Sequence, residues 1–348
     1  MKKVLYLLFL MITFACGHRA NEYDKTGEVQ DLSSGHQIVE KKYLGQVEGI
    51  RATDSMLVTI DYNDGMSYTL FDVESGDSIL RFGAIGHGNN EIPMGCDIIV
   101  CNKSFVAFDD ETHLIVTYSI DKDSFKTNQN VIKYHSKDIQ LSRLALTNNG
   151  LCLGKGTYKD RYEYVLFDEN GKVLDYGCDI YNSDFKDFNT YHKFLSNQGQ
   201  LAKHPNKDLF VGTTNYSSNI VFLSVSGKKI NVIKSIRGGD PLLEKQTIGG
   251  ISRVLPMDKT INGFLDLGVS DKYVYALYSD ERLKDSQYCS NTILVFDWNG
   301  NEVRKLKTHN IVYYIAANSS CLYTVEKDKD GFYIIVSYLL NNENEESN

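Results

Sequence analysis

The sequence predicts an all-β chain, specifically a six-bladed β-propeller whose ring is closed by an N-terminal strand that completes the last blade. Three observations support this fold. A pair of short β-rich runs recurs six times, tight-turn sequences follow several of these pairs, and no amphipathic helix recurs between them. The chain has 348 residues and a hydrophobic content of 42%, which is sufficient for a large core.

The first run of each repeat is a short apolar segment that begins 46 to 64 residues after the previous one. Units of this length with three or four antiparallel strands are typical of propeller blades rather than of helical solenoids. The six first runs are Ser55–Asp61, Ser104–Asp109, Gly150–Gly154, Asp208–Gly212, Lys272–Leu277 and Ser320–Val325.

A second run follows each first run at a nearly constant distance and ends in a polar residue. These second runs are Tyr68–Asp72, Ile115–Ser119, Tyr164–Asp168, Ile220–Ser224, Ile293–Asp297 and Phe332–Ser337. Asn170-Gly171 and Asn299-Gly300 follow two of them and provide the positive φ angles of a narrow hairpin turn. A further strand is therefore expected after these turns.

Closure of the ring is predicted from a spare strand near the N-terminus. The sixth unit ends near Leu340 and lacks an outer strand, whereas Gln37–Leu44 precedes the first unit without a partner. Pairing this segment with the last blade would cover two exposed sheet edges. The alternative is a pair of stacked β-sandwich domains.

The first fifteen residues resemble a bacterial lipoprotein signal. Lys2 and Lys3 precede an apolar stretch from Val4 to Ala15, which is too short to span a bilayer as a helix. The segment Thr13–Cys16 resembles a lipobox, and this resemblance implies that Cys16 becomes the lipidated N-terminus. The alternative is an ordinary signal peptide with an incidental cysteine.

Four segments are expected: a signal peptide at 1–15, a flexible tether at 16–36, the propeller at 37–340 and a disordered acidic tail at 341–348. Lys and Arg number 37 against 45 for Asp and Glu, which gives a net charge of -8. The sequence also lacks a basic run that could follow a phosphate backbone, so nucleic acid is not an expected partner. The expected location is the Gram-negative envelope, with the outer membrane favoured and its periplasmic or surface face left open.

Three segments resemble the TolB-like six-bladed propeller lipoproteins of Bacteroidetes. They are Arg81–Ile92 in the first blade and Tyr273–Ser279 with Ile293–Asn301 in the fifth. The family usually shows Pro-Gly where this chain has Asn89-Asn90, and an aromatic residue where it has Ile92. The resemblance extends over about residues 37 to 340 and implies the propeller fold, but it leaves the chemistry open.

The glycine-rich loop after the first blade supplies most of the candidate ligand-binding residues. Its glycines would allow a ligand to approach the backbone, and its polar side chains would hold that ligand. An interblade connection without ligand contact is the structural alternative. The candidates are Gly86, His87, Gly88, Asn90 and Glu91, together with Arg253 from a later connection.

Two connections exceed the ordinary length within a blade. In 181–201, Phe185, Phe188, Tyr191 and Leu195 recur at helical spacing and predict one short amphipathic helix. In 237–264, a Gly-Gly-Asp-Pro sequence ends a strand. Long loops often contain functional residues, and these two connections could lie at one end of the channel.

No catalytic residue, metal site or cofactor is predicted. The sequence contains none of the common hydrolase, metalloprotease or nucleotide-binding motifs, and its 8 histidines lack metal-ligand spacing. Cys152 and Cys321 lie in apolar runs and are expected to be buried, and no obligatory disulfide is expected.

The favoured function is therefore that of a non-catalytic envelope lipoprotein, held to the membrane by its lipid, whose propeller face binds a protein, peptide or glycan. One alternative is a hydrolase or lactonase with a metal site in the channel. Another is a structural subunit of an envelope assembly.

Overall fold

The computed structural model describes residues 29–32, 34–39, 44–88, 91–101, 104–120, 127–134, 139–180, 188–239, 241–285 and 288–340. Across these residues the regular elements are 27 strands and one short helix. The first two strands, β1 (Val29–Leu32) and β2 (His36–Val39), precede the six blades.

Each blade is built on an antiparallel sheet, and within each blade the consecutive strands run from the inner strand outward. Blades five and six each gain one further outer strand from the N-terminal segment. Blade one contains β3 (Gly49–Ala52), β4 (Met56–Asn63), β5 (Met66–Asp72) and β6 (Ser78–Ala84). Blade two contains β7 (Ile98–Cys101), β8 (Ser104–Asp109), β9 (Leu114–Ile120) and β10 (Thr127–Lys133). Blade three contains β11 (Leu141–Leu146), β12 (Cys152–Tyr158), β13 (Tyr162–Phe167) and β14 (Val173–Asp179).

The second half of the chain adds a helix and a hairpin to the same plan. Helix α1 (Thr190–Ser196) precedes blade four, which contains β15 (Leu201–Lys203), β16 (Leu209–Thr213), β17 (Asn219–Ser226) and β18 (Lys229–Arg237). A separate hairpin then follows, formed by β19 (Leu243–Ile248) and β20 (Ile251–Pro256). Blade five contains β21 (Phe264–Val269), β22 (Tyr273–Tyr278), β23 (Ser290–Asp297) and β24 (Glu302–Val312). Blade six contains β25 (Tyr314–Ala317), β26 (Cys321–Lys327) and β27 (Tyr333–Leu339).

The predicted closure of the ring is confirmed. Strand β2 pairs with β27 in antiparallel orientation, with His36 opposite Ser337 and Val39 opposite Ile335, and so supplies the fourth strand of blade six. Val39 is completely buried, in a cluster that also contains Leu57 of blade one. The closing strand therefore joins blade six through its backbone and blade one through its buried side chain.

Strand β1 differs from the sequence prediction. It pairs in parallel with β24, with Val29 opposite Lys305 and Leu32 opposite Thr308, and forms a fifth strand on blade five. It lies inside 16–36, the segment predicted to be a flexible tether, and Leu32 is buried in the core between blades five and six. This apolar contact accounts for the strand at Val29–Leu32. Residues 16–28 and the predicted tail at 341–348 lie outside the described residues.

The inner strands surround a central channel. They contact one another in the ring order β3, β7, β11, β15, β21, β25 and back to β3. Because neighbouring strands alternate in direction, the chain always passes from one blade to the next at the end of the ring where inner strands begin. We call this end the insertion face, since it carries α1 and the β19–β20 hairpin. The opposite end, where inner strands finish, is the turn face.

The short helix predicted in 181–201 is present, but the apolar side predicted for it is not the side that is buried. Tyr191 is 52% exposed, whereas His192, Phe194 and Ser196 are buried. Asn189 caps the helix by accepting a hydrogen bond from the His192 backbone N–H at 2.9 Å. Phe185 lies outside the described residues. The helix contacts β12 and β20, so residues at those two contacts decide which side is covered.

Cysteine burial is as predicted at one of two positions. Cys152 is 1% exposed within β12. Cys321 is only partly buried, because it is the first residue of β26 and lies beside a turn.

Candidate functional site

A set of polar side chains lines the channel at the insertion-face end of the inner strands. Five blades each contribute one residue to this set, which we call the channel ring: Arg51, Asp97, Arg143, Gln200 and Asp266. Arg51, Arg143 and Asp266 lie within inner strands, and Asp97 and Gln200 immediately precede inner strands. The ring therefore has a defined position in the fold.

Arg51 joins three blades. Its Nη2 lies 3.0 Å from Asp97 Oδ1, and its Nη1 lies 3.4 Å from Asp266 Oδ1. Nε donates to the Ile98 carbonyl at 3.0 Å, and Nη1 also donates to the Ile50 carbonyl at 2.7 Å. All three guanidinium nitrogens are therefore engaged, and two of these bonds satisfy backbone carbonyls of inner strands.

Arg143 continues the ring on the other side of Asp97. Its Nε lies 3.2 Å from Asp97 Oδ2 and donates to Gln200 Oε1 at 3.1 Å. Gln200 Nε2 in turn donates to the Leu265 carbonyl at 3.1 Å. Ion pairs and hydrogen bonds thus link blade one through blades two, three and four to blade five.

Asp266 is the most deeply buried acid of the ring, with its side chain 2% exposed. Burial raises its pKa, while Arg51 and the backbone N–H of Ile315, which donates at 3.0 Å, favour the charged form. The Ile315 bond brings blade six into the network. The ring therefore links the blades electrostatically across the channel, and its charged groups are already paired with one another.

A small cavity lies on the turn-face side of the ring. Arg51, Gln200 and Asp266 form its inner end, and later residues of the inner strands, such as Lys203 and Ala317, form its walls. Lys203 Nζ donates to Asn148 Oδ1 at 2.8 Å and to the His204 carbonyl at 3.2 Å. The charged groups around this cavity are thus held by neighbouring protein groups.

The glycine-rich loop brings four of the candidate ligand residues together. The Gly88 N–H donates to Glu91 Oε2 at 2.8 Å, and a β-carbon at Gly86 would lie 1.9 Å from the same oxygen. Ile92 is buried, and its N–H donates to the Ala84 carbonyl at 2.8 Å. The Glu91 carboxylate thus organises its own loop. His87 is exposed beside it.

The other candidates are placed elsewhere or not described. Asn90 lies outside the described residues, as does Cys16. Arg253 is exposed on β20, opposite Gln246, and belongs to the connection between blades four and five. The glycine-rich loop connects blades one and two. The structure therefore assigns Arg253 to a different part of the insertion face.

Exposed apolar and aromatic residues concentrate on the insertion face. Those in its connections are Met94, Tyr191, Leu242, Ile248, Ile251, Tyr288 and Phe332. Ile251 is 60% exposed and Tyr288 is 57% exposed. Among the described residues, the turn-face connections carry no exposed large apolar side chain, although Leu339, which ends β27 at that face, is 75% exposed. The two ends of the propeller therefore differ in the surfaces that they offer.

The channel ring was missed because its signal is not local. The inner strands are short and include charged residues, so they do not stand out as apolar runs. A signal becomes visible when the units are aligned. Three of the ring residues are then the third residue of an inner strand and two immediately precede one: Arg51, Arg143 and Asp266, and Asp97 and Gln200. The alternation of opposite charges suggests contact across the blades.

No group of three or more His, Cys, Asp and Glu side chains is arranged for a metal ion within the part of the chain that the structure describes. Within the same part, no helix has the length and apolar character needed to cross a membrane.

Comparison with solved structures returns chains of low sequence identity. A Bacteroides fragilis NCTC 9343 protein, described provisionally as exported, has 12% identity and a TM-score of 0.56, with 90% of this chain and 99% of that chain covered. Raptor of Chaetomium thermophilum has 12% identity and a TM-score of 0.45, with 88% and 29% covered. A Lactobacillus plantarum protein has 11% identity and a TM-score of 0.42, with 85% and 84% covered.

A search of curated proteins finds no match. The family model described as TolB-like 6-blade propeller-like matches residues 33–320, which cover most of the chain and five complete blades together with the start of the sixth. Together with the six observed blades, this match shows that the chain belongs to the TolB-like six-bladed propeller family.

Proposed function

We propose that this protein is exported to the bacterial envelope, is held to a membrane by a lipid on Cys16, and binds a partner through the insertion face without catalysing a reaction. The partner class is a protein, a peptide or a glycan. The observation that carries the proposal is the concentration of exposed apolar and aromatic side chains on this face.

Single exposed apolar residues are ordinary on protein surfaces, so the distribution matters more than any one residue. The insertion-face residues come from separate connections and from α1, and the turn-face connections described by the structure carry none comparable. Apolar side chains grouped at one end of a molecule are typical of interaction surfaces. The charged groups of the channel ring are already paired with one another. This pairing favours a binding function over a catalytic site in the channel.

Ile248 and Ile251 are the most accessible part of this surface. They lie opposite each other at the end of the β19–β20 hairpin, on either side of Gly249 and Gly250, whose φ angles are +60° and +82°. Both glycines therefore adopt the left-handed conformation that a two-residue hairpin turn requires. The turn places both isoleucines at the tip, where they are 47% and 60% exposed.

Partner binding is tested by photo-cross-linking in cells that produce the full chain, followed by measurement of affinity with the identified partner. A cross-linking residue at position 251 should give a discrete adduct that one at position 232 does not give. The Ile248→Ser/Ile251→Ser variant should bind the purified partner at least about tenfold more weakly, since these side chains lose apolar contact.

The matched control is Val232→Ser/Ile233→Ser, because both residues are exposed on the outer strand β18. It should bind as the unmodified protein does. Equal loss in both variants, or no loss in either, would contradict a role for the insertion face.

Export and lipidation are supported by the charged start, the short apolar stretch and the lipobox-like Thr13–Cys16. The similar Bacteroides fragilis protein is also described provisionally as exported. The Cys16→Ser variant should lose metabolic labelling by palmitate and either accumulate as precursor or leave the membrane fraction. Cys289→Ser, the control, should keep the label. Full labelling of the Cys16→Ser variant would exclude this attachment site.

A further inference from the structure

Three connections of the insertion face meet between blades four and five: 214–218, 238–263 and 279–289. The Gly263 N–H donates to the Asn215 carbonyl at 2.7 Å, and the Ser279 N–H donates to the Gly263 carbonyl at 2.8 Å. A β-carbon at Gly263 would lie 1.9 Å from the Ser217 carbonyl oxygen. The contact is therefore close enough to require glycine, and it fixes the three connections relative to one another.

Two tyrosines mark the outer side of this junction. Tyr288 is 57% exposed, and its backbone has a φ of +54°, in the left-handed region that residues other than glycine rarely occupy. Its side chain is hydrogen-bonded to Tyr216, which is partly buried. Burial raises the pKa of Tyr216, so this hydroxyl stays protonated at neutral pH. An aromatic side chain is thus held at the surface by a strained backbone and a hydrogen bond.

Unpartnered polar atoms lie in the same region. Asn215 Oδ1, Ser217 Oγ and Asn219 Oδ1 are buried without a hydrogen-bond partner in the described part of the chain. Ser217 and Asn219 are only 3% and 4% exposed. A buried polar group without a partner costs about 1–3 kcal/mol, and most native groups of this kind are paired with protein or water. Three such atoms within five residues leave unused hydrogen-bonding capacity at this segment, which water or a ligand could fill.

The segment of the junction that carries these atoms is polar and uncharged. The segment Thr213–Asn219 consists of threonine, asparagine, tyrosine and serine, and carries no formal charge. Amide oxygens accept hydrogen bonds, and hydroxyls both donate and accept them. Tyrosine adds an apolar ring with a polar end. A ligand that matches this set has many hydroxyl groups, apolar C–H surfaces and no net charge.

We infer that the junction of Asn215–Asn219 with Tyr288 binds a neutral glycan. This inference rests on the proposed function, because it names the ligand class of one part of the insertion face. Sugar hydroxyls would supply donors to the unpartnered oxygens after a small opening of the loop, and a sugar ring would lie against Tyr288. A peptide is less well matched, since peptides are usually held by sheet edges, apolar grooves or charged pockets.

The test uses the full-length protein in detergent, titrated with neutral oligosaccharides by isothermal titration calorimetry. The probes are maltohexaose, cellohexaose, laminarihexaose, mannohexaose and xylohexaose. At least one should bind with saturation, and Tyr288→Ala should weaken that binding about tenfold, the size expected for an exposed aromatic contact. Tyr216→Phe should weaken it less, because the ring remains while the hydrogen bond to Tyr288 is lost.

The matched control is Tyr191→Ala, since Tyr191 is also an exposed tyrosine of the insertion face but lies on α1. It should leave sugar binding unchanged. Absence of saturation with all five probes would overturn the glycan inference, as would binding that Tyr288→Ala does not weaken. Tyr288-dependent binding of a peptide library, without sugar binding, would also overturn it.

These outcomes are separable from failure of the proposed function. If no sugar binds while the Ile248→Ser/Ile251→Ser variant still loses its cross-linked partner, the insertion face binds a partner and the glycan inference alone is wrong. If neither experiment depends on this face, both proposals fail.

Discussion

Blade three contains a buried ion pair whose partners depend on each other. Lys155 is completely buried, and its Nζ lies 2.5 Å from Glu163 Oε1. Removing two charges from water costs several kcal/mol per ion, which their attraction only partly offsets. The pair is therefore weak support for stability as a unit, although either residue alone would be strongly unfavourable.

Lys155→Met should lower the free energy of unfolding by about 3–5 kcal/mol, because Glu163 would remain buried without a cation. Lys155→Met/Glu163→Leu should recover most of this loss. Urea denaturation monitored by circular dichroism measures both variants. The control is Arg161→Met, which removes an exposed ion pair with Asp179 and should cause no measurable change. Equal instability of the single and double variants would show that the pair itself stabilises the fold.

Cys178 should be an unreactive thiol in the folded protein. Burial, followed by the nearby Glu163 carboxylate, raises its pKa to about 12. Its Sγ lies 3.8 Å from Glu163 Oε2, and its backbone has a φ of +59°. Iodoacetamide should therefore modify Cys178 slowly at pH 8 and faster only as the pH approaches 12.

Peptide mapping by mass spectrometry measures this modification, with protein unfolded in urea as the control for normal reactivity. Because the folded pKa is raised, the thiol contributes stability below its unfolded pKa, and this contribution is lost as the pH rises toward 12. Rapid labelling of folded Cys178 at pH 8 would contradict the burial of its sulfur.

At the scale of elements, the sequence located the middle strands of each blade and the closing strand. These middle strands are nearly continuous buried runs, and the first six residues of β4, for example, are all buried. Their hydrophobicity alone therefore identifies them. Inner strands such as β25 have only four residues, and β1 has four residues of mixed polarity. Their stability comes from neighbouring strands and therefore leaves little trace in their own sequences.

The closing strand offers a direct test. Val39→Asp should destabilise the protein by several kcal/mol, because it would place an unpaired charge between blades six and one. Gln37→Asp, in the same strand, should have little effect because Gln37 is exposed. Thermal unfolding of both variants measures the difference. A similar shift in both would indicate that β2 depends on backbone pairing and not on the side chain of Val39.

At the scale of the whole molecule, the number of blades and the closure followed from sequence repetition, whereas the channel ring did not. Its residues lie far apart along the chain: Arg51 and Asp266, for example, are separated by 215 positions. Only the circular arrangement of blades brings them together. The junction of Tyr216 with Tyr288 was missed for the same reason, since it joins connections of two different blades.

Arg51→Met should destabilise the entire propeller, since it leaves Asp97 and Asp266 near the channel without their shared cation. A loss of about 3–5 kcal/mol is expected for breaking such a buried network. Arg143→Met should cost less, because Arg143 is 27% exposed and lies beside Asp97 but not Asp266. Guanidinium denaturation measures both. Equal losses would argue that position within the ring has no influence.

The parallel pairing of β1 with β24 would have a mechanical consequence under the proposed lipid anchor at Cys16. Tension applied through residues before Val29 would reach β1 first, and a pull along the strand would load its hydrogen bonds in shear rather than one at a time. The force would thus act on blade five before it reached the pairing of β2 with β27. Strand β1 would then carry the load and protect the β2–β27 pairing that closes the ring.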